Sequence, residues 1–313
     1  MGGDVDAMVT NLRCGGMALC TAINHCLADG VGSSQFLHAW AHFTARPSTD
    51  LSITAVHSRL ALRPRFPPNI AFPHREFAAP PLRLDHPPPL DLAHFLQSQP
   101  LIPTSFTFTP SLILRLKQLC VPSLKSTSFE ALASHVWRAW ARAFGLPPAQ
   151  KVKLLFSVNV RARLAPRLPE GYYGNGFVLA CAETTARELV GANLRHGVRL
   201  VQEGKKSVSD GYVRSMVDLL EERRARPDLT ASLVISQWAK MGLEELDFGE
   251  GRPVHMGPLA SEIYCLFLPV VEEVDATRVL ISMPESLVDK FEYCMWDLEE
   301  KEGGEDGGMN DFI

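Results

Sequence analysis

The sequence predicts an α/β protein of two lobes with mixed sheets, and three observations carry that expectation. The chain has 313 residues, 46% of them hydrophobic, which is more than the core of one modest domain needs. Short apolar runs of strand character alternate with capped, amphipathic helical patterns. Eleven prolines fall between residues 64 and 103 and set residues 1–62 apart from the rest of the chain.

Taken in order, residues 16–25 (GMALCTAINH) read as a short buried strand that feeds a turn at DGVGSS. A helix should follow over SSQFLHAWAHFTA, with Ser33 or Ser34 as its cap and Phe36, Trp40 and Phe43 as one apolar stripe. Residues 63–104 form a proline-rich crossover, and the aromatics interleaved in RPRFPPNIAFPHREF favour a packed segment over a tether. The second lobe, 105–296, opens with a strand and a short helix in TSFTFTPSLILRLKQLC. Thr127 and Glu130 make a capping box for a helix whose face carries Phe129, Leu132, Val136, Trp140 and Phe144. The strand KVKLLFSVNVRARL and the glycine turn GYYGNGFVLAC come next, then a helix capped by Thr185 and Glu188 that runs towards VRLVQEGKK. Two short strands, EIYCLFLPVV and TRVLISM, precede an acidic tail over 297–313 that should be solvated and disordered.

Composition excludes several classes of function. A net charge of -4, from 31 Lys plus Arg against 35 Asp plus Glu, carries no basic excess for nucleic acid or an anionic membrane. Seven dispersed cysteines without a CxxC pair point to a reducing compartment. The N-terminus lacks a signal-peptide pattern, and runs such as CLFLPVV are too short to span a bilayer. The expectation is a cytoplasmic monomer without membrane insertion.

His25, four residues before Asp29, is the first candidate for chemistry. Gly30 and Gly32 argue against a helix through the pair, so the two need not face each other. A histidine at the mouth of a strand can accept a proton near neutral pH, its ordinary pKa being about 6.5. Composition alone favours the plainer alternative of a buried histidine satisfied by a backbone carbonyl. Cys14, Cys20, His25, Cys26 and Asp29 lie within sixteen residues, but without the close ligand pairs that structural zinc uses, so no metal is expected. Gln35 stands where a dinucleotide fingerprint needs its third glycine, and no GxSxG elbow exists.

Four ordered segments, NHCLADG, RPRFPPNIAFPHREF, VNVRARLAPRLPEGYYGNGF and DFGEGRP, make the chain resemble the plant BAHD acyltransferases, an acyl-CoA-dependent family, from about residue 8 to 293. The resemblance implies the two-lobed CoA-dependent acyltransferase fold of the chloramphenicol acetyltransferase kind. It also implies transfer of an acyl group, hydroxycinnamoyl or another aromatic or aliphatic one, from acyl-CoA to a small alcohol or amine. No permanently bound cofactor is implied, acyl-CoA being a co-substrate.

By that resemblance His25 is the general base and Asp29 holds the loop through an arginine, Arg161 first and Arg163 next. Gly30 lets the backbone pass close to the substrates. Asp247, Phe248, Gly249 and Gly251 shape the coenzyme A side, and Thr127 and Ser128, at a helix start, dock its nucleotide. Lys240 stands where some hydroxycinnamoyl transferases place an arginine that grips an acceptor carboxylate, although a solvated lysine on a surface turn is the plainer and favoured reading. Glu250 replaces the family tryptophan of DFGWG, and Cys26 the second histidine of HHxxxDG. Intact members place HxxxD deeper in the chain, so an incomplete N-terminal lobe is expected, and with it the alternative of a fragment that binds without turnover.

Overall fold

The computed structural model describes residues 5–51, 53–78, 95–96, 98–258, 261 and 264–298. β1 (Val5–Asn11) and β2 (Met17–Ile23) pair antiparallel, with Asn11 opposite Met17. Gly15, at a φ of 87°, takes the left-handed conformation of the turn between them, which costs glycine little. Among the described residues this ribbon pairs with no third strand. The strand expected over 16–25 is therefore present but not buried: β2 is exposed to half-buried along its length, and Met8, Val9 and Leu12 face outwards.

α1 (Gly30–Ala45) is capped by Asp29 and not by Ser33 or Ser34. Asp29 Oδ1 accepts the Gly32 amide at 3.0 Å, while the Ser34 hydroxyl donates to the Met241 carbonyl at 2.7 Å. Its buried positions are Gly32, Ser34 and Ala41, whereas Phe36 and Phe43 of the expected stripe are exposed.

β3 (Leu101–Phe108), β4 (Lys151–Asn159), β5 (Phe177–Thr185), β6 (Ser232–Gln237), β7 (Tyr264–Pro269) and β8 (Thr277–Pro284) form a six-stranded sheet in the order β3-β8-β7-β6-β4-β5. The β4/β6 and β6/β7 pairs are parallel and the other three antiparallel, so the sheet is mixed. The helices are α2 (Pro110–Gln118), α3 (Ser128–Phe144), α4 (Ala186–Gly191), α5 (Leu194–Ser207), α6 (Asp210–Arg223) and α7 (Val288–Trp296). α3 is buried along most of its length and packs on α2, α5 and α7. Burial of Phe156 and Phe267 beside it stabilises by about 1.5–3 kcal/mol each.

Both expected capping boxes form, at Thr127/Glu130 and Thr185/Glu188. The second helix is shorter than expected, because α4 ends at Gly191 and α5 starts anew after Asn193. α6, β6 and α7 have no counterpart among the expected elements, although Ser209 as cap and Tyr212, Val213, Met216 and Leu219 as stripe mark α6 plainly.

The described part of the crossover is tied to α6 by buried polar groups. Asp218 accepts the Arg65 amide and Nε at 2.8 and 2.7 Å and the Asn69 amide at 2.8 Å. Glu76 accepts the Tyr212 hydroxyl at 2.6 Å and lies 3.1 Å from His74 Nδ1, whose Nε2 meets Ser215 Oγ at 2.8 Å. Residues 79–94 and 97 of the crossover and 299–313 of the acidic tail lie outside the described residues. Glu76→Ala leaves the buried Tyr212 hydroxyl and His74 Nδ1 without their partner, and is expected to lower unfolding free energy by about 1–3 kcal/mol. A urea midpoint equal to the parent's would show that the tie carries no stability.

Candidate active site

β2 ends at Ile23, and the next residues form a tight turn. Asn24 Oδ1 accepts the Cys26 amide at 2.9 Å and the Asn24 carbonyl the Leu27 amide at 2.8 Å, as short polar side chains do in turns. His25 sits at this turn with its ring exposed, which removes the reading of a buried histidine. The ring lies 6.0 Å from Phe177 at a tilt of 54°, and Asn175 Nδ2 donates to the His25 carbonyl at 2.7 Å. The turn therefore rests on the segment leading into β5.

Asp29 is 4% exposed and turned onto the same segment. Arg161 Nη1 and Nη2 each donate to one of its oxygens at 2.8 Å, and the Gly176 amide adds a bond of 2.9 Å to Oδ2. Burial pushes the carboxyl up, but the Arg161 guanidinium and the Gly32 and Gly176 amides outweigh it and hold the group below the usual carboxylate range. Among the described residues, the bonds to this carboxylate come from those three; none comes from His25. A relay pair is absent from this geometry.

Arg161 is held in turn. Its Nε donates to the Tyr172 carbonyl at 3.2 Å, its Nη2 to the Gly174 carbonyl at 2.8 Å, and it lies 5.6 Å from the Tyr172 ring centre. Arg163, the second candidate, is elsewhere: its Nη1 donates to the Lys205 and Val208 carbonyls at the end of α5. Close packing falls on a different glycine from the one singled out. A Cβ on Gly30 would meet the movable end of Met241 at 2.7 Å, so Gly30 faces that side chain and not an open cleft. A Cβ on Gly32 would overlap the Tyr173 carbonyl, a backbone atom that cannot step aside.

The DFGEG loop closes on itself. Asp247 Oδ1 accepts the Gly249 and Gly251 amides at 2.8 and 3.0 Å, and both glycines have positive φ, at 104° and 102°. Those amides hold the exposed Asp247 carboxyl below its ordinary value. Phe248 packs edge-on against Trp40 of α1 at 5.4 Å. At about 1.5 Å per residue, Trp40 lies roughly 15 Å along the helix from Gly30. The loop therefore meets the far half of α1, away from His25. Glu250 is exposed.

At the start of α3, Thr127 Oγ1 accepts the Glu130 amide and Glu130 accepts the Thr127 amide, Gln202 Nε2 and Lys205 Nζ. The Thr127 hydroxyl oxygen thus accepts at the cap, which leaves its O–H able to donate, and Ser128 beside it is half-buried. Lys240 is exposed and loosely paired with Asp275 at 3.9 Å. Among the described residues no group of three His, Cys, Asp or Glu side chains could hold a metal, and no helix is long and apolar enough to cross a membrane.

The sequence profile of the Transferase family matches residues 6–298. The chain belongs to that family, the BAHD acyltransferases. Among these proteins it is 40% identical over 293 residues to a fatty alcohol:caffeoyl-CoA acyltransferase of Arabidopsis thaliana, covering 93% of this chain and 66% of that one. It is 37% identical over 296 residues to an omega-hydroxypalmitate O-feruloyl transferase of the same plant, covering 92% and 63%. The chain thus spans about two thirds of the length of these BAHD relatives. Its fold is similar to the crystal structure of vinorine synthase, with a TM-score of 0.64 at 19% identity over 92% of this chain and 64% of that one. For F. graminearum TRI101 complexed with coenzyme A and deoxynivalenol the TM-score is 0.69 at 17% identity, over 93% and 68%.

Proposed function

We propose that the chain transfers a hydroxycinnamoyl group from its coenzyme A thioester to the hydroxyl of a long-chain aliphatic alcohol, with His25 as general base. The observation that carries this reading is the histidine turn itself. An exposed imidazole stands at a strand end, while Asp29, four residues on, is turned away and locked to Arg161. The relatives named above act on caffeoyl-CoA with fatty alcohols and on omega-hydroxypalmitate, which supports the choice of donor and acceptor class.

In this reading a free ring nitrogen of His25 takes the hydroxyl proton as the alcohol oxygen attacks the thioester carbonyl. A tetrahedral intermediate collapses, the C–S bond breaks, and the thiolate of coenzyme A leaves with the proton returned from the imidazolium. No acyl-enzyme forms. Asp29, Gly30 and Arg161 hold the turn, and Asp247, Phe248, Gly249 and Gly251 brace the outer half of α1. Ser128 and Thr127 at the start of α3 dock the nucleotide of coenzyme A.

The test is incubation with caffeoyl-CoA and hexadecanol, following ester by mass spectrometry and free thiol by colour. Equimolar ester and thiol are expected, and neither appearing with any hydroxycinnamoyl-CoA would overturn the reading. Lys240→Ala is expected to raise KM about fivefold (~1 kcal/mol, as for an exposed ion pair) for 16-hydroxypalmitate and not for hexadecanol. Equal values for the two acceptors would remove Lys240 from acceptor recognition.

One observation favours a second reading, coenzyme A binding without turnover. The ribbon of β1 and β2 that carries His25 is exposed and pairs with no other strand among the described residues, and an isolated two-stranded ribbon is marginal in water. A rise in melting temperature with coenzyme A, with no thiol released from acyl-CoA, would support it.

A further inference from the structure

The loop between Tyr172 and Gly176 grips the start of α1 through Asp29, and it reaches the histidine turn through the side chain of Asn175. Asn175 Nδ2 donates to the His25 carbonyl at 2.7 Å. Both neighbours of Asn175 are fixed: the Gly174 carbonyl accepts Arg161 Nη2 at 2.8 Å, and the Gly176 amide donates to Asp29 at 2.9 Å. Two residues on, the Phe177 ring lies 6.0 Å from the imidazole. Residue 25 is thus held at its backbone and flanked at its ring by one short stretch that the Asp29–Arg161 pair makes rigid.

The amide has one sense here, because turning it over would set Oδ1 against the His25 carbonyl, two acceptors face to face. In the observed sense Asn175 Oδ1 is buried and, among the described residues, has no hydrogen-bond partner. That orphan acceptor is a cost of seating the amide where its other end meets His25. The bond adds little stability in return, since the His25 turn is exposed and water would satisfy the carbonyl. What the bond does is remove freedom from the turn.

We infer that Asn175 is a positioning residue, whose amide fixes the direction from which His25 presents its ring to the acceptor hydroxyl. The inference rests on the reading of His25 as base. A base acts only within hydrogen-bond reach of its proton, and a displacement of about 1 Å can remove about 10²-fold in rate.

The test uses the full chain and four variants: Asn175→Ala, Asn175→Gln, His25→Ala and the double His25→Ala/Asn175→Ala. With caffeoyl-CoA and hexadecanol, Asn175→Ala is expected to lower kcat by about 10- to 100-fold, with KM for caffeoyl-CoA within about twofold and the melting temperature unchanged. Asn175→Gln, which keeps the donor on a longer arm, should recover part of the loss. In the His25→Ala background the second substitution should cost nothing more, because both act through one group. A further loss there overturns the inference while leaving His25 as base intact.

A readout independent of turnover is the histidine-ring carbon–proton NMR spectrum, with the His25 signal assigned by its disappearance in His25→Ala. That signal should shift or broaden in Asn175→Ala while the His38 signal holds. An unmoved His25 signal overturns the inference even in a protein that transfers no acyl group, whereas absent turnover with a moved signal tells only against the proposed activity.

Discussion

His25→Ala is expected to slow acyl transfer by about 10²- to 10⁴-fold, the span that a positioned general base contributes. The structure says why the loss should be one of rate and not of folding. The side chain is exposed, its ring contact among the described residues is Phe177, and the turn is held by its backbone carbonyl and by Asn24, both of which an alanine keeps. The melting temperature and coenzyme A binding should therefore match the parent's. Measured under saturating donor, a variant with the parent's kcat would show that another group takes the proton.

Asp29→Asn should do the reverse and unfold the protein more easily, by about 3–5 kcal/mol, as expected when one partner of a buried ion pair is lost. The asparagine amide would point a donor at Arg161 and at the Gly176 amide, both of which are donors themselves. Arg161→Ala removes the same pair from the other side, so the double variant should be no worse than the less stable single one. The pH dependence follows from the depressed carboxyl: the unfolded chain binds this proton at a higher pH than the folded one does. Its stabilisation is fully present above the ordinary carboxylate range, beyond about pH 5, and is lost as pH falls through the folded value. The stability gap between parent and Asp29→Asn should thus be flat near neutrality and close in acid. A variant as stable as the parent but inactive would show that Asp29 acts in the chemistry and does not anchor the loop.

Much of the chain from residue 101 to 298 is legible in the sequence because its signals are local. Thr127 with Glu130 and Thr185 with Glu188 lie three residues apart, and such boxes form whenever the helix forms. The strands over 101–108, 151–159 and 277–284 show in their apolar, β-branched runs. The break between α4 and α5 does not show, since Gly191 reads equally well as a tolerated interior glycine. The cap of α1 is ambiguous for a different reason. Asp29, Ser33 and Ser34 are all good cap residues, and only the docking of Ser34 on Met241 leaves Asp29 to the helix.

By itself, then, the sequence determined the mixed α/β class, the starts of α2, α3 and α4, and the residues His25, Asp29, Arg161 and Asp247 to which a family resemblance could attach roles. Tertiary structure alone decided that Arg161 and not Arg163 reaches Asp29, that Gly32 and not Gly30 is the glycine with no room, and that Asn175 touches the histidine turn. It also decided that Asp218 and Glu76 anchor the crossover. The physical reason is separation along the chain. A cap is settled within four residues, where backbone geometry fixes who meets whom, but Asp29 and Arg161 stand 132 residues apart and Asn175 and His25 stand 150. Their meeting depends on how the ribbon, α1 and the six-stranded sheet pack, and no local pattern encodes that.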